Sequence, residues 1–242
     1  NGCDVTVLEA GDRVMARFFP PKLSEMLAAV HQQQGVKLLT GVGITSITQR
    51  GAESVIALAD GTTLVADAVI VGIGAQPNTA LAEASGLTLR QGGVEVDETA
   101  QTSAAGVYAA GDVATFRLAG ADWIRWENWT HARQQAAHAA RHMLGKGTEY
   151  HELPWVWSDQ YDMNIQVLGS PVSDDPVVLR GSLEGGRLAA FHRSKGKLVG
   201  ATLINDGKHK SPIRKLIEKQ AVVPPEQLSD AAVDLKKLAA QF

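Results

Sequence analysis

Four short segments of this sequence carry residue types that could handle a nucleotide. The first is Val5-Thr6-Val7-Leu8-Glu9, an apolar strand ending on a carboxylate. A carboxylate at the tip of the second strand of a dinucleotide fold accepts both hydroxyls of an adenosine ribose. Arg13 and Arg17 follow it. A 2′-phosphate would need such a cation, but Glu9 would repel that phosphate, so the pattern favours NAD. A solvated strand end would look the same. The second segment is Gly72-Ile73-Gly74, after the β-branched run Val69-Ile70-Val71. Ligands in open α/β sheets sit beyond the carboxyl ends of strands, where glycine lets the backbone come close. A plain tight turn has the same composition. The third is Val107-Tyr108-Ala109-Ala110-Gly111-Asp112, a strand running into a glycine turn with a carboxylate beside it. The fourth, Arg125-Trp126-Glu127-Asn128-Trp129, opens a helix whose Ala132, Ala136, Ala139 and Ala140 admit close approach of a backbone or a flat ligand.

The elements that must position these residues alternate between helix and strand, which predicts an α/β sheet. Pro20-Pro21 opens a helix with Leu23, Met26, Leu27 and Val30 on one stripe, and Gly35 closes it. Strands are expected at 36–39, 44–47, 55–58 and 62–65, with Asp60-Gly61 as a hairpin turn. Residues 69–71 read as a central, doubly covered strand. A long helix is expected over 130–144, and a terminal helix over the last thirteen residues, from Asp230. From Pro154 the texture changes to aromatic-rich strands with a glycine turn at Gly185-Gly186. Asn1-Gly2 reads as a helix end feeding directly into a strand, which implies an earlier strand and helix and hence a longer protein.

Composition removes several classes of function. The 242 residues are 45% apolar and 20% charged, an ordinary globular balance. A net charge of -3 speaks against nucleic acid as the general partner. An apolar run such as that from Ala68 to Ala75 is far short of the roughly 20 residues of a membrane-spanning helix. The single cysteine, Cys3, forbids an internal disulfide, a Cys-x-x-Cys pair and a cysteine-rich metal site, and points to the cytoplasm. His138 and His142 have metal-ligand spacing on a helix, but an amphipathic helix surface accounts for them. No Gly-x-Ser-x-Gly elbow is present for a hydrolase.

The Thr102–Asp112 segment resembles the second flavin-binding motif of the two-dinucleotide flavoprotein reductases. Glu152-Leu153-Pro154-Trp155-Val156-Trp157-Ser158-Asp159-Gln160-Tyr161 closely resembles the start of the C-terminal domain in one subgroup, the ferredoxin reductase components of aromatic-ring dioxygenases. The likeness runs along essentially the whole chain, through Pro212-Ile213-Arg214-Lys215-Leu216 to the closing Leu235-Lys236-Lys237-Leu238-Ala239-Ala240. The family's first flavin motif and its nicotinamide glycine loop are not in this sequence.

The resemblance implies an α/β, two-dinucleotide-binding (Rossmann-like) fold, here partial, followed by a small α+β C-terminal domain. Residues 1–76 would be the remainder of an NAD-binding domain, 77–150 the second part of an FAD-binding domain, and 151–242 a C-terminal reductase or interface domain. It implies FAD and NAD as cofactors. Glu9, Arg17, Gly72, Ile73 and Gly74 would serve the nucleotide. Gly111 and Asp112 would meet the flavin's diphosphate and ribityl chain, and Glu127, Asn128 and Trp129 its pyrimidine end, with Trp157 beside it. No side chain is expected to act as acid, base or nucleophile. The implied activity passes electrons from NADH through FAD to a small acidic [2Fe-2S] ferredoxin, of Rieske type, that feeds an oxygenase. Two other readings remain open: a related NADH oxidase or nitrite reductase, and a non-catalytic docking fragment. Residues 187–219 carry nine basic residues against only Asp206 and Glu218, a partner-facing patch or simply a solvated face.

Overall fold

The computed structural model describes residues 2–117, 123–148, 150, 152–170 and 174–242. Asn1, half of the expected helix-ending pair, lies outside them, while Gly2 is left-handed at φ +73°. The chain opens with a parallel βαβ unit. β1 (Thr6–Glu9) pairs with β2 (Lys37–Thr40) in a register that sets Glu9 beside Thr40, and α1 (Pro21–Gln33) connects them. Proline at the first helical position costs α1 no hydrogen bond, and left-handed Gly35 at φ +83° follows its end. β3 (Ile44–Arg50), β4 (Glu53–Leu58) and β5 (Thr63–Ala66) form an antiparallel meander. Its second turn has the expected chemistry: Asp60 Oδ1 accepts from the Thr62 amide at 2.9 Å, and Gly61 supplies φ +86°.

The middle of the chain has α2 (Ala80–Ala84) and a small mixed sheet of β6 (Leu89–Arg90), β7 (Gly93–Glu95), β8 (Ala114–Arg117) and β9 (Trp123–Ile124). α3 (Trp129–Met143) packs against the 3₁₀ turn Gly111–Val113 that precedes β8. The C-terminal part is a five-stranded antiparallel sheet of β10 (Trp155–Gln160), β11 (Met163–Gly169), β12 (Val178–Ser182), β13 (Arg187–Ser194) and β14 (Lys197–Ile204), ordered β10-β11-β14-β13-β12. The period of two in β13 decides which helices cover which face. Ala189 and Phe191 turn to a core with α4 (Lys210–Glu218), α5 (Pro225–Ser229) and α6 (Leu235–Ala239). Leu188 and Ala190 turn the other way, onto Phe19, Leu23 and Leu27. Thus α1, from the first βαβ unit, is the lid on one face of the C-terminal sheet. His31 adds a polar latch to that contact, bonding Tyr161 Oη at 2.8 Å and Gln160 Oε1 at 3.1 Å.

Three expected elements differ. Residues 69–71 form no strand: no described strand lies beside them, and Ile70, Val71 and Ile73 are 97%, 63% and 89% exposed. β-branched composition alone cannot make a strand without a neighbour to complete its hydrogen bonds. Residues 107–110 likewise make only an isolated bridge, Gln101 to Tyr108. The terminal helix does not begin at Asp230. Buried Arg180 collects the carbonyls of Asp230 at 2.5 Å, Ala231 at 3.2 Å and Val233 at 2.8 Å, which holds that stretch in a turn. α6 then starts after Asp234, whose carboxylate accepts from the amides of Lys236 and Lys237.

Candidate functional site

Glu9 stands at the carboxyl end of β1, where its Oε1 accepts the Gly11 amide at 2.7 Å. The loop is drawn back over the strand, and Gly41 N donates to Gly11 O at 2.7 Å. Among the described residues, one carboxylate oxygen is thereby engaged and the other remains for a further donor. Of the two following cations, Arg13 pairs with Asp12 at 2.9 Å. Arg17 reaches Glu127 Oε2 at 3.7 Å, far along the chain. Gly74 is left-handed at φ +96°, and a Cβ added at Gly72 or Gly74 would meet nothing within 4 Å. Among the described residues, no hydrogen bond or ring contact joins Gly72, Ile73 or Gly74 to the other candidates.

The Gly111-Asp112 turn is built against α3. Gly111 has φ +79°, and a Cβ there would sit 3.1 Å from that of Ala132. Both the backbone conformation and the close helix therefore favour glycine. Its amide donates to Gln135 Oε1 at 2.8 Å, inside the protein. The Asp112 side chain is exposed at the turn, while its carbonyl accepts from Arg125 Nη1 at 3.1 Å. Arg125 also pairs with Glu127 Oε1 at 2.5 Å. Asn128 caps α3, its Oδ1 accepting the His131 amide at 2.8 Å. Among the described residues, the other first-turn amides of α3 stay available, beside its partial positive charge.

Under this corner lies an aromatic box that the sequence reading missed. Phe116 stacks on His131 at 4.8 Å, Trp126 stands edge-on to both, and Tyr150 Oη lies 3.0 Å from His131 Nδ1. Burial holds the His131 imidazole down to about 4, opposed in part by Gln135. Burial, helped by the charge of Glu152, pushes the Tyr150 phenol up. Both groups stay neutral near pH 7. The signal was present as Trp126 and His131 flanking a helix start, but four rings from three stretches of chain do not show as a motif.

Trp129 and Trp157 meet at the surface. Trp129, the first residue of α3, is 64% exposed and stands perpendicular to Trp157 at 6.0 Å. Trp157, 44% exposed, stacks on Trp155 at 5.1 Å. Residues two apart on a strand share a face, so β10 presents both rings together. Lys210 Nζ lies 3.4 Å from the centre of the Trp155 ring. A cleft of about 450 Å³ opens alongside, lined by Trp129, Arg133, Arg141, Trp155, Lys210 and Arg214 among others. A second, of about 470 Å³, shares Lys210 and Arg214 and adds Lys208. Arg214 is tied to Glu218 at 2.7 Å and Glu152 at 3.2 Å. Burial, then repulsion from Arg214, lowers the affinity of Lys210 for its proton. This is a cationic groove with an aromatic edge.

His138, expected on a helix surface, is instead buried, with Nε2 on the Glu98 carbonyl at 2.9 Å. His142 Nε2 contacts the Thr148 carbonyl at 2.6 Å. Among the described residues, no group of three or more potential ligands could hold a metal, and no helix is long and apolar enough to cross a membrane.

Comparison with known proteins agrees with this geometry. A family model described as pyridine nucleotide-disulphide oxidoreductase matches residues 1–136, and one described as reductase C-terminal matches 155–239. Over 224 residues the chain is 37% identical to the 3-phenylpropionate/cinnamic acid dioxygenase ferredoxin–NAD(+) reductase component of Photorhabdus laumondii, covering 92% of this chain and 56% of that protein. The ferredoxin reductase for the CYP199A2 system of Rhodopseudomonas palustris superposes with a TM-score of 0.92 at 36% identity, over 98% of this chain and 59% of that one. Putidaredoxin reductase, solved as a covalent complex with putidaredoxin, gives 0.89 at 30% identity, over 98% and 58%. The chain spans little more than half the length of these relatives.

Proposed function

Because the chain belongs to the pyridine nucleotide-disulphide oxidoreductase family, we propose that it serves an NADH-dependent, FAD-containing ferredoxin reductase. In this reading it works in the cytoplasm and passes electrons to a small acidic [2Fe-2S] ferredoxin, of Rieske type, that feeds an aromatic-ring dioxygenase. Residues 1–76 belong to its NAD-binding part, 77–150 to its FAD-binding part and 151–242 to its reductase domain. The observation that carries the reading is the meeting of Trp129 and Trp157 between the Gly111-Asp112 corner and a cationic groove.

The corner fits a flavin. Left-handed Gly111 brings the turn close to α3, Asp112 projects an exposed carboxylate for a ribityl hydroxyl, and first-turn amides of α3 suit the electron-rich pyrimidine end. Bound FAD would supply the conversion between a two-electron donor and one-electron acceptors. The protein's own contribution is to bind, orient and exclude water. Glu9 takes the adenosine ribose, Gly72, Ile73 and Gly74 offer backbone to the nucleotide, and Trp157 lines the way from the corner to the partner. Replacing Glu9 by Ala is expected to weaken NADH use and relieve repulsion of NADPH. The kcat/KM ratio for the two coenzymes, measured with a dye acceptor, should fall; an unchanged ratio would remove Glu9 from the nucleotide site.

The groove suits an acidic partner, because opposite charge speeds encounter and a screened contact still lets the complex part quickly. Within the basic 187–219 stretch, Lys210 lies over the Trp155 ring and Lys208 lines the adjoining cleft with it, whereas Lys195 sits in the β13–β14 turn and Lys197 is bonded to Gln220. Reversing Lys208 and Lys210 to Glu in the protein expressed from the intact gene should slow ferredoxin reduction about tenfold at low salt, with the gap closing as the Debye length shortens. NADH reduction of a small neutral dye should be unaffected. Equal ferredoxin rates at every ionic strength would refute the docking assignment. Rapid NADH-driven oxygen consumption without ferredoxin would instead favour the oxidase reading.

A further inference from the structure

Glu127 occupies a junction between the two nucleotide-handling regions, and each of its carboxylate oxygens holds a different guanidinium. Oε1 meets Arg125 at 2.5 Å, a pair whose side chains are 19% and 21% exposed. Arg125 in turn donates to the carbonyl of Asp112 at 3.1 Å. Oε2 meets Arg17 at 3.7 Å, and Arg17 is 72% exposed. Arg17 lies on the loop that leaves Glu9, between β1 and α1, whereas Arg125 and Glu127 lead into α3. The path Arg17–Glu127–Arg125–Asp112 thus joins the loop beside one carboxylate to the turn beside the other.

We infer that Glu127 is a positioning residue that fastens the 11–19 loop to the Gly111-Asp112 turn and so sets how the nucleotide lies relative to the flavin corner. This rests on the reading above and adds to it. The two ion pairs have different weights. The shielded Arg125 pair builds the corner itself. The Arg17 pair is open to water and salt and contributes modestly, as exposed pairs do. Neutralising Glu127 removes the carboxylate that, among the described residues, Arg17 reaches, and leaves Arg17 and Arg125 as neighbouring cations, so the loop should move away from the corner. In this reading Arg17 assists the nucleotide through Glu127 and not by touching it, which differs from the direct binding role its position after Glu9 implies.

A double-mutant cycle on Glu127→Gln and Arg17→Gln decides between these roles. On the 242-residue chain without ligand, amide exchange across 11–19 should rise about two- to fivefold in either variant, and no further in the double variant. Arg17→Lys should restore part of the protection. In the flavin-loaded protein from the intact gene, the KM for NADH should rise by a similar factor in both single variants and no further in the double variant. One molar salt, where screening reaches about 3 Å, should remove most of the parent's advantage. Additive effects on KM would mean that Arg17 binds the nucleotide directly and would overturn the inference. So would loop exchange unmoved by Arg17→Gln while Glu127→Gln sheds flavin, since Glu127 would then only build the corner. If those results came from a parent that NADH reduces normally, the reductase reading would survive. A parent that NADH does not reduce would overturn both.

Discussion

Between pH 7 and pH 4 the chain is expected to lose about 6 kcal/mol of folding stability, on the order of its whole margin. The source is a pair of buried histidines in different parts of the molecule. His131 sits in the aromatic box, and His192 is wholly buried on β13 with Nε2 at 3.0 Å from Thr202 Oγ1. Burial holds each imidazole to about 4, against 6.5 for a free one. Both are therefore neutral in the fold, while the unfolded chain takes up protons as pH drops through 6.5. The unfolded state binds more protons throughout the window from 6.5 to 4, so stability falls as pH falls across it and levels off below 4. Each histidine accounts for about 3 kcal/mol at the low end. Asp60, Glu184 and Asp234 act in a lower window: local hydrogen bonds depress their carboxyls, so their contribution goes only as pH falls through those depressed values. Urea midpoints measured every half pH unit should show the loss, and His192→Gln should flatten about half of it. A flat profile between 6.5 and 4.5 would show that these imidazoles are hydrated.

Replacing Asp112 by Ala should lower flavin affinity about ten- to a hundredfold, as expected for losing a charged acceptor worth roughly 1.5–3 kcal/mol. The flavin-to-protein ratio after gel filtration reads this directly. The backbone of the turn should survive, because its supports are elsewhere: the Gly111 amide on Gln135 and the Asp112 carbonyl on Arg125. Asp112→Asn should retain part of the affinity through its carbonyl oxygen. Full flavin retention in the Ala variant, with unchanged thermal stability, would leave Asp112 with no part in the site.

What was legible from residues alone was what local chemistry specifies. Pro21 and Gly35 bracket α1, Asp60-Gly61 turns β4 into β5, and Gly145 follows the end of α3 at φ +66°. Caps, turns and apolar periods act within a few residues, so they survive in a one-dimensional reading. The Gly111-Asp112 segment and the Trp155–Tyr161 run were legible for the same reason. Tertiary structure decided the rest. Residues 69–71 have strand composition but no described neighbour, and a ladder needs two chains. The stretch after Asp230 has helical spacing, yet Arg180, on a distant strand, takes its carbonyls. Trp129 joins Trp157, and Arg17 joins Glu127, only because the C-terminal sheet and α3 come together and the 11–19 loop reaches the α3 entry. The neutrality of His131 and His192 is likewise a property of their surroundings, since the same imidazoles in water would begin to charge near 6.5. Residue type sets which chemistry a side chain can do; burial and long-range partners set its charge, its exposure and its neighbours.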